Sequence, residues 1–181
     1  MAGAYLLADN PCILGIDPGA DSGAIAFYFA AHPEIISAED MPCADHSVDA
    51  VTLAARIEQM RPDMCVIEAV SAMQGWGVSS TFKFGVSYGI IRGVVLACRV
   101  PLHFVTPGRW KKYHGLTSDK DESRAKALSL WPSSTDFSRK KDHGRAEAAL
   151  LARYGAETIW RRGEASWTGA AQDNGLTSKR A

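Results

Sequence analysis

The stretch Ile13-Leu14-Gly15-Ile16-Asp17-Pro18-Gly19 decides the fold that the sequence predicts. Its apolar run at residues 13–16 is typical of a short buried strand, and Asp17-Pro18-Gly19 has the composition of a turn. A second apolar run at residues 24–30 follows a polar, glycine-containing segment. The sequence therefore predicts a β-hairpin that places Asp17 at the end of its first strand.

Apolar periodicity and turn residues predict the remaining elements. Further strands are expected at residues 34–41, 64–70 and 102–105, and helices at residues 48–60, 81–98, 119–131 and 143–154, with a short helix starting at Pro107. Ser118 is the expected N-cap of the charged helix at residues 119–131. Strands come first and helices later, which predicts an α/β fold with a mixed sheet and helices on both faces.

The 181-residue length suits one compact domain, expected at residues 12–160. Residues 1–11 are expected to be a flexible leader and residues 161–181 a disordered polar tail. No apolar run is long enough to span a membrane, and the N-terminus does not resemble a secretory signal. The four cysteines lack metal-site spacing, which favours reduced thiols and a cytoplasmic location.

The net charge is zero, but it is unevenly distributed along the chain. Residues 83–145 carry 13 Lys and Arg against 5 Asp and Glu, so this stretch has a charge of +8 and the rest −8. Such a division allows a basic face for a polyanion and an acidic pocket elsewhere, although two ordinary solvated surfaces would give the same numbers.

Two acids occupy positions that are costly for a charge. Asp17 directly follows Leu14-Gly15-Ile16, and Glu68 lies between Cys65-Val66-Ile67 and Ala69-Val70. A carboxylate at the end of a buried strand needs a partner or a metal ion. One such acid is explained by a salt bridge or a turn, but two at the ends of two apolar strands favour a metal site.

A third acid, Glu147, starts an almost purely apolar helical stretch. On an ideal helix His143 lies about 40° from Glu147, and Asp142 about 140° away. Asp142 therefore joins Glu147 only if it lies at or before the helix start, which Gly144 makes plausible. An N-cap role is the alternative for Asp142.

These residues resemble a known family. Residues 13–19, Val66-Ile67-Glu68 and the run from Asp142 to Ala148 are similar to the three acidic motifs of RuvC-type Holliday-junction resolvases. The last motif, together with Gln74-Gly75-Trp76, is closer to the plastid resolvases called monokaryotic chloroplast and to phage relatives than to the bacterial enzymes. The resemblance covers roughly residues 12–157 and implies an RNase H-like fold with a five-stranded mixed sheet.

The resemblance also implies a Mg²⁺-dependent nuclease that makes symmetric cuts in branched DNA. Asp17, Glu68 and Glu147 match three of its acids, while Gly144 stands where bacterial enzymes place the fourth. We expect Asp142 to take that role, with His143 as the alternative. Hydrolysis of a phosphodiester needs an activated water and a stabilised leaving oxygen. Two Mg²⁺ ions held by clustered carboxylates supply both, and Mn²⁺ is expected to substitute.

The basic half of the chain is expected to contact DNA phosphates. The expected contacts are at Lys83, Arg109, Lys111, Lys112, Arg139, Lys140 and Lys141. Trp76 or Phe82 is expected to stack on an unpaired base, with local packing as the alternative for Trp76.

The family works as a homodimer, which suits a four-way junction. Gly85, Gly89 and Gly93 recur on one helix face, where they serve either packing against the sheet or contact with a second copy. The alternative function is an RNase H-like nuclease acting on RNA/DNA hybrids or structured RNA. An actin-like or sugar-kinase ATPase lacks the required length and second phosphate loop, and a DNA-binding protein without catalysis is disfavoured by the complete set of acids.

Overall fold

The computed structural model of the chain describes residues 10–19, 23–70 and 77–163. Its strands are β1 (Cys12–Asp17), β2 (Ala24–Phe29), β3 (Ile36–Asp40), β4 (Cys43–Ala44), β5 (Ser47–Val48), β6 (Met64–Glu68) and β7 (Leu102–Val105). Its α-helices are α1 (Ala50–Met60), α2 (Val78–Ala97), α3 (Pro107–His114), α4 (Lys120–Leu130) and α5 (His143–Tyr154).

Five of these strands form one mixed sheet in the order β3-β2-β1-β6-β7. β1 pairs antiparallel with β2, which pairs antiparallel with β3, whereas β6 runs parallel to both β1 and β7. The predicted hairpin and the predicted five-stranded α/β fold are confirmed.

Alternation along the strands divides the interior into two layers. Ile13, Ala26 and Val66 belong to the cluster that includes the α5 side chains. Leu14 and Ile67, which come next in sequence, belong to the cluster with α1 and α2. The sheet is therefore buried on both faces, which explains why its central strands are almost continuously apolar.

Helix α5 lies unusually close to strand β1, because Gly15 has no side chain. A Cβ at position 15 would overlap the carbonyl oxygen of Ala148 and lie 2.6 Å from the backbone nitrogen of Ala152. The small residues of α5 meet this glycine directly, so the start of the helix is held over the carboxyl end of β1.

The observed elements differ from the predicted ones most clearly in a missed hairpin and in the starts of two helices. β4 and β5 form a small hairpin whose turn residues, Asp45 and His46, have φ values of 51° and 59°. This hairpin has no apolar alternation, and helix α1 begins after it, at Ala50. Helix α2 begins at Val78, before the predicted start at residue 81. Within the described ranges, no helix is long and apolar enough to cross a membrane.

The predicted N-cap of α4 was wrong by one residue. The cap is Asp119, whose Oδ1 accepts a hydrogen bond from the backbone N–H of Asp121 at 2.9 Å. A carboxylate at this position also interacts favourably with the helix dipole, so aspartate outcompetes the neighbouring Ser118.

Candidate active site

Asp17 and Glu68 lie at the carboxyl ends of two neighbouring parallel strands, β1 and β6. The register pairs Ile16 with Ile67, so the two acids lie side by side, one strand spacing of about 4.8 Å apart in the backbone. Val66 faces the α5 layer, and alternation places Glu68 on that same face. Gly15, which contacts α5, places Asp17 there as well. Both acids therefore point toward the helix that carries Glu147.

Glu147 comes to this edge of the sheet from the first turns of α5 and is only 9% exposed. Its Oε1 lies 3.0 Å from the ammonium of Lys111 and accepts a hydrogen bond of 3.3 Å from the Ser123 hydroxyl. A buried carboxylate without such partners would be strongly unfavourable. Lys111 was predicted to contact DNA phosphate, but here its ammonium lies against an acid of the candidate site.

Helix α3 brings a second donor to the site. It follows β7, the strand beside β6, and its Trp110 donates a 2.8 Å hydrogen bond from Nε1 to Oε2 of Glu68. Pro107 stands in the first turn of α3, as predicted. Trp110 itself is fully buried, so this hydrogen bond fixes the orientation of the Glu68 carboxylate.

The pKa of Glu68 is raised above its ordinary value. Burial is the largest cause, and the negative charge of Glu147 adds to it, while the Trp110 hydrogen bond and the Lys111 charge act in the opposite direction. Glu68 and Glu147 come from separate elements, and their mutual repulsion shows that the fold brings them into one electrostatic environment.

Asp142 lies where the sequence places it, directly before α5, as the last residue of a short 3₁₀ turn at Lys140–Asp142. It is 1% exposed, and its Oδ2 accepts a 2.7 Å hydrogen bond from the backbone N–H of Arg139. Burial alone would raise its pKa, but hydrogen bonds from Arg139 and the charges of Arg139 and Arg145 lower it overall. His143, the alternative, is half-buried as the first residue of α5.

The acids of this site have the donor chemistry that Mg²⁺ prefers. In this conformation, however, their side chains are not grouped closely enough to hold an ion. Carboxylate oxygens are the ligands that Mg²⁺ prefers. Among the described residues, however, no group of three or more His, Cys, Asp or Glu is arranged to hold a metal ion. Positive charge at these acids comes from Lys111, which lies 3.0 Å from Glu147, and from Arg139, which lies 2.8 Å from Asp142.

Most of the predicted DNA contacts are accessible to a ligand. Lys83, Arg109, Lys112, Arg139, Lys140 and Lys141 are exposed. Phe82 is 71% exposed on α2, a high value for a large apolar side chain. Trp76 lies outside the described residues.

Sequence reasoning missed four residues that surround the acids: Trp110, Ser123, Asp40 and Arg145. Trp110 has the clearest signal, because it follows β7 by one turn of helix, next to a lysine. Asp40 ends β3 in the same way that Asp17 ends β1, but its flanking residues are less apolar, so it does not stand out.

Comparisons with known proteins show which solved structures share this fold. No protein-family model matches the sequence, and no curated protein sequence does so either. The structure of Thermus thermophilus RuvC in complex with a Holliday junction substrate superposes with a TM-score of 0.63 at 16% identity, covering 86% of this chain and 98% of that chain. A second Thermus thermophilus RuvC structure gives a TM-score of 0.58 at 15% identity, covering 85% and 97%. This chain therefore has the RNase H-like fold of the RuvC-type Holliday junction resolvases.

Proposed function

We propose that the chain is a structure-selective endodeoxyribonuclease that resolves four-way DNA junctions by symmetric phosphodiester hydrolysis. The observation that carries this proposal is the convergence of Asp17, Glu68 and Glu147 from three separate elements at one edge of the sheet. A structural core alone does not need three acids there. The substrate class is supported by the RuvC structure with its bound junction, which has the same fold.

We propose that Asp17, Glu68, Asp142 and Glu147 hold Mg²⁺ at this edge, with two ions bound and Mn²⁺ as a substitute. Bound Mg²⁺ would supply an activated water and a counter-charge for the leaving oxygen. The Lys111 ammonium, now 3.0 Å from Glu147, must then release that carboxylate. Its side chain is long enough to turn to a neighbouring phosphate, in agreement with its predicted role as a DNA contact.

Asp142 is the preferred fourth ligand, and His143 the alternative. Asp142 lies directly before α5, the position that a role beside Glu147 requires, while its contacts in this structure are to Arg139 and Arg145. Its carboxylate is engaged by Arg139, so ligation requires this arginine to move away. Imidazole is a poorer ligand for Mg²⁺ than for Mn²⁺ or Zn²⁺, which favours the aspartate.

We propose that the DNA backbone runs over the exposed cations near this edge. Arg109 and Lys112 belong to the same helix as Lys111, and Arg139, Lys140 and Lys141 directly precede α5. Phosphate contacts of this kind give affinity and shape selectivity without a strict base code. Phe82, exposed on α2, is available to stack on a base at an unpaired position.

We also propose a homodimer formed through α2. Besides Phe82, apolar side chains are exposed along this helix at Val78, Val86 and Leu96, and these are available for a second copy. A Cβ at Gly85, Gly89 or Gly93 would meet nothing within 4 Å in the described part of the chain, which favours contact with a second copy over packing on the sheet. An open stripe of small and apolar residues suits close approach of a second helix. Two-fold symmetry would then provide the two cuts that a four-way junction needs.

The substrate is tested by comparing cleavage of a four-way DNA junction, a plain duplex, an RNA/DNA hybrid and a structured RNA in Mg²⁺. We expect paired, symmetric nicks in the junction and much slower cleavage of the other three. Preferential cleavage of the hybrid or the RNA would support the alternative nuclease. An absence of cleavage in all four substrates, with either Mg²⁺ or Mn²⁺, would contradict the proposal.

A further inference from the structure

An ion pair outside the acidic cluster joins β3 to the start of α5. Asp40 is the last residue of β3, and alternation from Ala38, which contacts the α5 layer, places its side chain on that same face. Arg145 donates two hydrogen bonds of 2.7 Å, from Nε to Oδ1 and from Nη2 to Oδ2 of Asp40. This is the two-pronged arrangement in which guanidinium and carboxylate fit each other best.

The same arginine is next to Asp142. Its Nε lies 4.0 Å from Oδ1 of Asp142, while Arg139 is bonded to that oxygen at 2.8 Å through Nη2. Asp40 accepts hydrogen bonds from both prongs of the Arg145 guanidinium, and this keeps Arg145 from turning toward Asp142. The pKa of Asp40 is lowered, chiefly by the hydrogen bond from Arg145, so Asp40 and Arg145 both stay charged at neutral pH.

Arg145 and Glu147 fix α5 from opposite flanks. They are two residues apart, which corresponds to about 200° around an ideal helix. Arg145 therefore reaches β3, the edge strand on one side of the sheet. Glu147 reaches Lys111 on α3 and Ser123 on α4. Loss of either attachment would let the first turn of α5 rotate or slide over the small residues beneath it.

We propose that Asp40 is a positioning residue for the nuclease site, acting through Arg145 on Asp142 and on the first turn of α5. The inference rests on the proposed nuclease function. Without the Asp40 carboxylate, Arg145 is released to approach Asp142 more closely than its present 4.0 Å. Arg139, whose Nη2 also lies 3.9 Å from Asp40, then has Asp142 as its remaining acidic partner. The ion pair between α5 and β3 is lost in the same step, while the apolar packing of Ala38 in the α5 layer remains.

The adjacent residue of the same strand offers a matched control. Glu39 forms an ion pair of 2.6 Å with Arg56 of α1, on the other face of the sheet. This pair also joins the end of β3 to a helix, with side-chain exposures of 37% and 25%, against 62% and 18% for Asp40 and Arg145. Substitution of Glu39 therefore removes a comparable strand-to-helix ion pair on the face that lacks the acidic cluster.

The experiment compares wild type, Asp40→Asn, Asp40→Glu and Glu39→Gln. Single-turnover cleavage and junction affinity are measured, with amide hydrogen exchange of residues 143–147 as a readout independent of activity. We expect Asp40→Asn to slow cleavage about 10- to 100-fold with nearly unchanged affinity, since small misplacements of catalytic groups have effects of this size. Asp40→Glu should restore most of the rate, Glu39→Gln should cleave like wild type, and only Asp40→Asn should exchange faster at the start of α5.

The inference would be overturned if Asp40→Asn cleaved at the wild-type rate. It would also be overturned if Asp40→Asn and Glu39→Gln slowed cleavage equally. If the wild-type protein cleaves no junction, the proposed function fails, and the exchange data then decide the positioning role alone. Unchanged exchange of residues 143–147 in Asp40→Asn would overturn it in that case.

Discussion

Helices α5 and α2 are both rich in small and apolar residues, yet the fold uses them in opposite ways. Helix α5 buries nine of its twelve residues, including Glu147. Helix α2 is twenty residues long and buries Ser87, Ile91 and Val95, while large apolar side chains stay exposed along its outer side. The backbone of α5 occupies the space above Gly15, whereas no described residue packs within 4 Å of a Cβ added at Gly85, Gly89 or Gly93 of α2.

The contrast shows that apolar composition alone does not identify the buried helix of a protomer. What distinguishes α5 is close contact with β1 at Gly15, through Ala148, the residue that follows Glu147. What distinguishes α2 is an apolar surface without a covering element among the described residues. We interpret the first as the support of the active site and the second as the surface for a second copy.

The largest expected effect comes from filling the space between α5 and β1. Gly15→Ala would place a methyl group against the backbone of Ala148 and Ala152, which cannot move away without moving the helix. We expect a loss of about 3 kcal/mol in the free energy of unfolding, measured by urea denaturation. The control is Gly108→Ala, where a Cβ meets nothing within 4 Å. Equal stability of the two variants would contradict the role assigned to Gly15.

An intermediate effect is expected from a charge on the open stripe of α2. Gly89→Arg has room for its side chain in the protomer, so the fold should remain intact. In an α2 interface the arginine would be buried without a partner, and we expect the dimer dissociation constant to rise about 100-fold or more. Sedimentation measures this, with Ile35→Arg, at another exposed apolar position, as the control. A dimer unaffected by Gly89→Arg would place the interface elsewhere.

The smallest expected effect is on the free energy of unfolding, and it comes from removing the charge of Glu68 beside α5. Because the folded-state pKa of Glu68 is raised above its ordinary value of 4.5, the folded protein binds this proton more tightly than the unfolded chain does. Stability of the wild type therefore falls as pH rises from about 4.5 through the folded pKa. Glu68→Gln should remove this penalty and stabilise the metal-free protein at pH 7 by about 1 kcal/mol or less.

The check is urea denaturation of both proteins in a chelator across pH 4 to 8. The stability advantage of Glu68→Gln should shrink toward the acid end, where the wild-type carboxyl is protonated in both states. An advantage independent of pH would mean that packing, and not charge, causes it.

The fold was predictable where one residue pattern dominates. The strands around Asp17 and Glu68 are continuously apolar up to the acid, so their existence follows from the sequence. The β4-β5 hairpin was missed, because its four strand residues carry no apolar alternation and its turn relies on left-handed Asp45 and His46.

The candidate site was only partly predictable, for a physical reason. Asp17, Glu68 and Glu147 stand out because their neighbours are apolar, which makes the charge conspicuous. Asp40 and Arg145 lie 105 residues apart, and each looks like an ordinary surface charge until the fold joins them. Ion pairs distant in the chain leave no local periodicity, so Lys111 was likewise interpreted only as a DNA contact.

The most direct test of the account is parallel measurement of cleavage rate and affinity on a four-way junction for Asp17→Asn and Glu68→Gln. Both substitutions keep the shape of the side chain and remove its negative charge, and Glu39→Gln is the control acid on the opposite face. We predict that both variants lose about 1,000-fold or more in rate while their affinity stays within about threefold, because phosphate contacts dominate binding. Cleavage at near wild-type rate by either variant would contradict the assignment of this edge of the sheet as the active site.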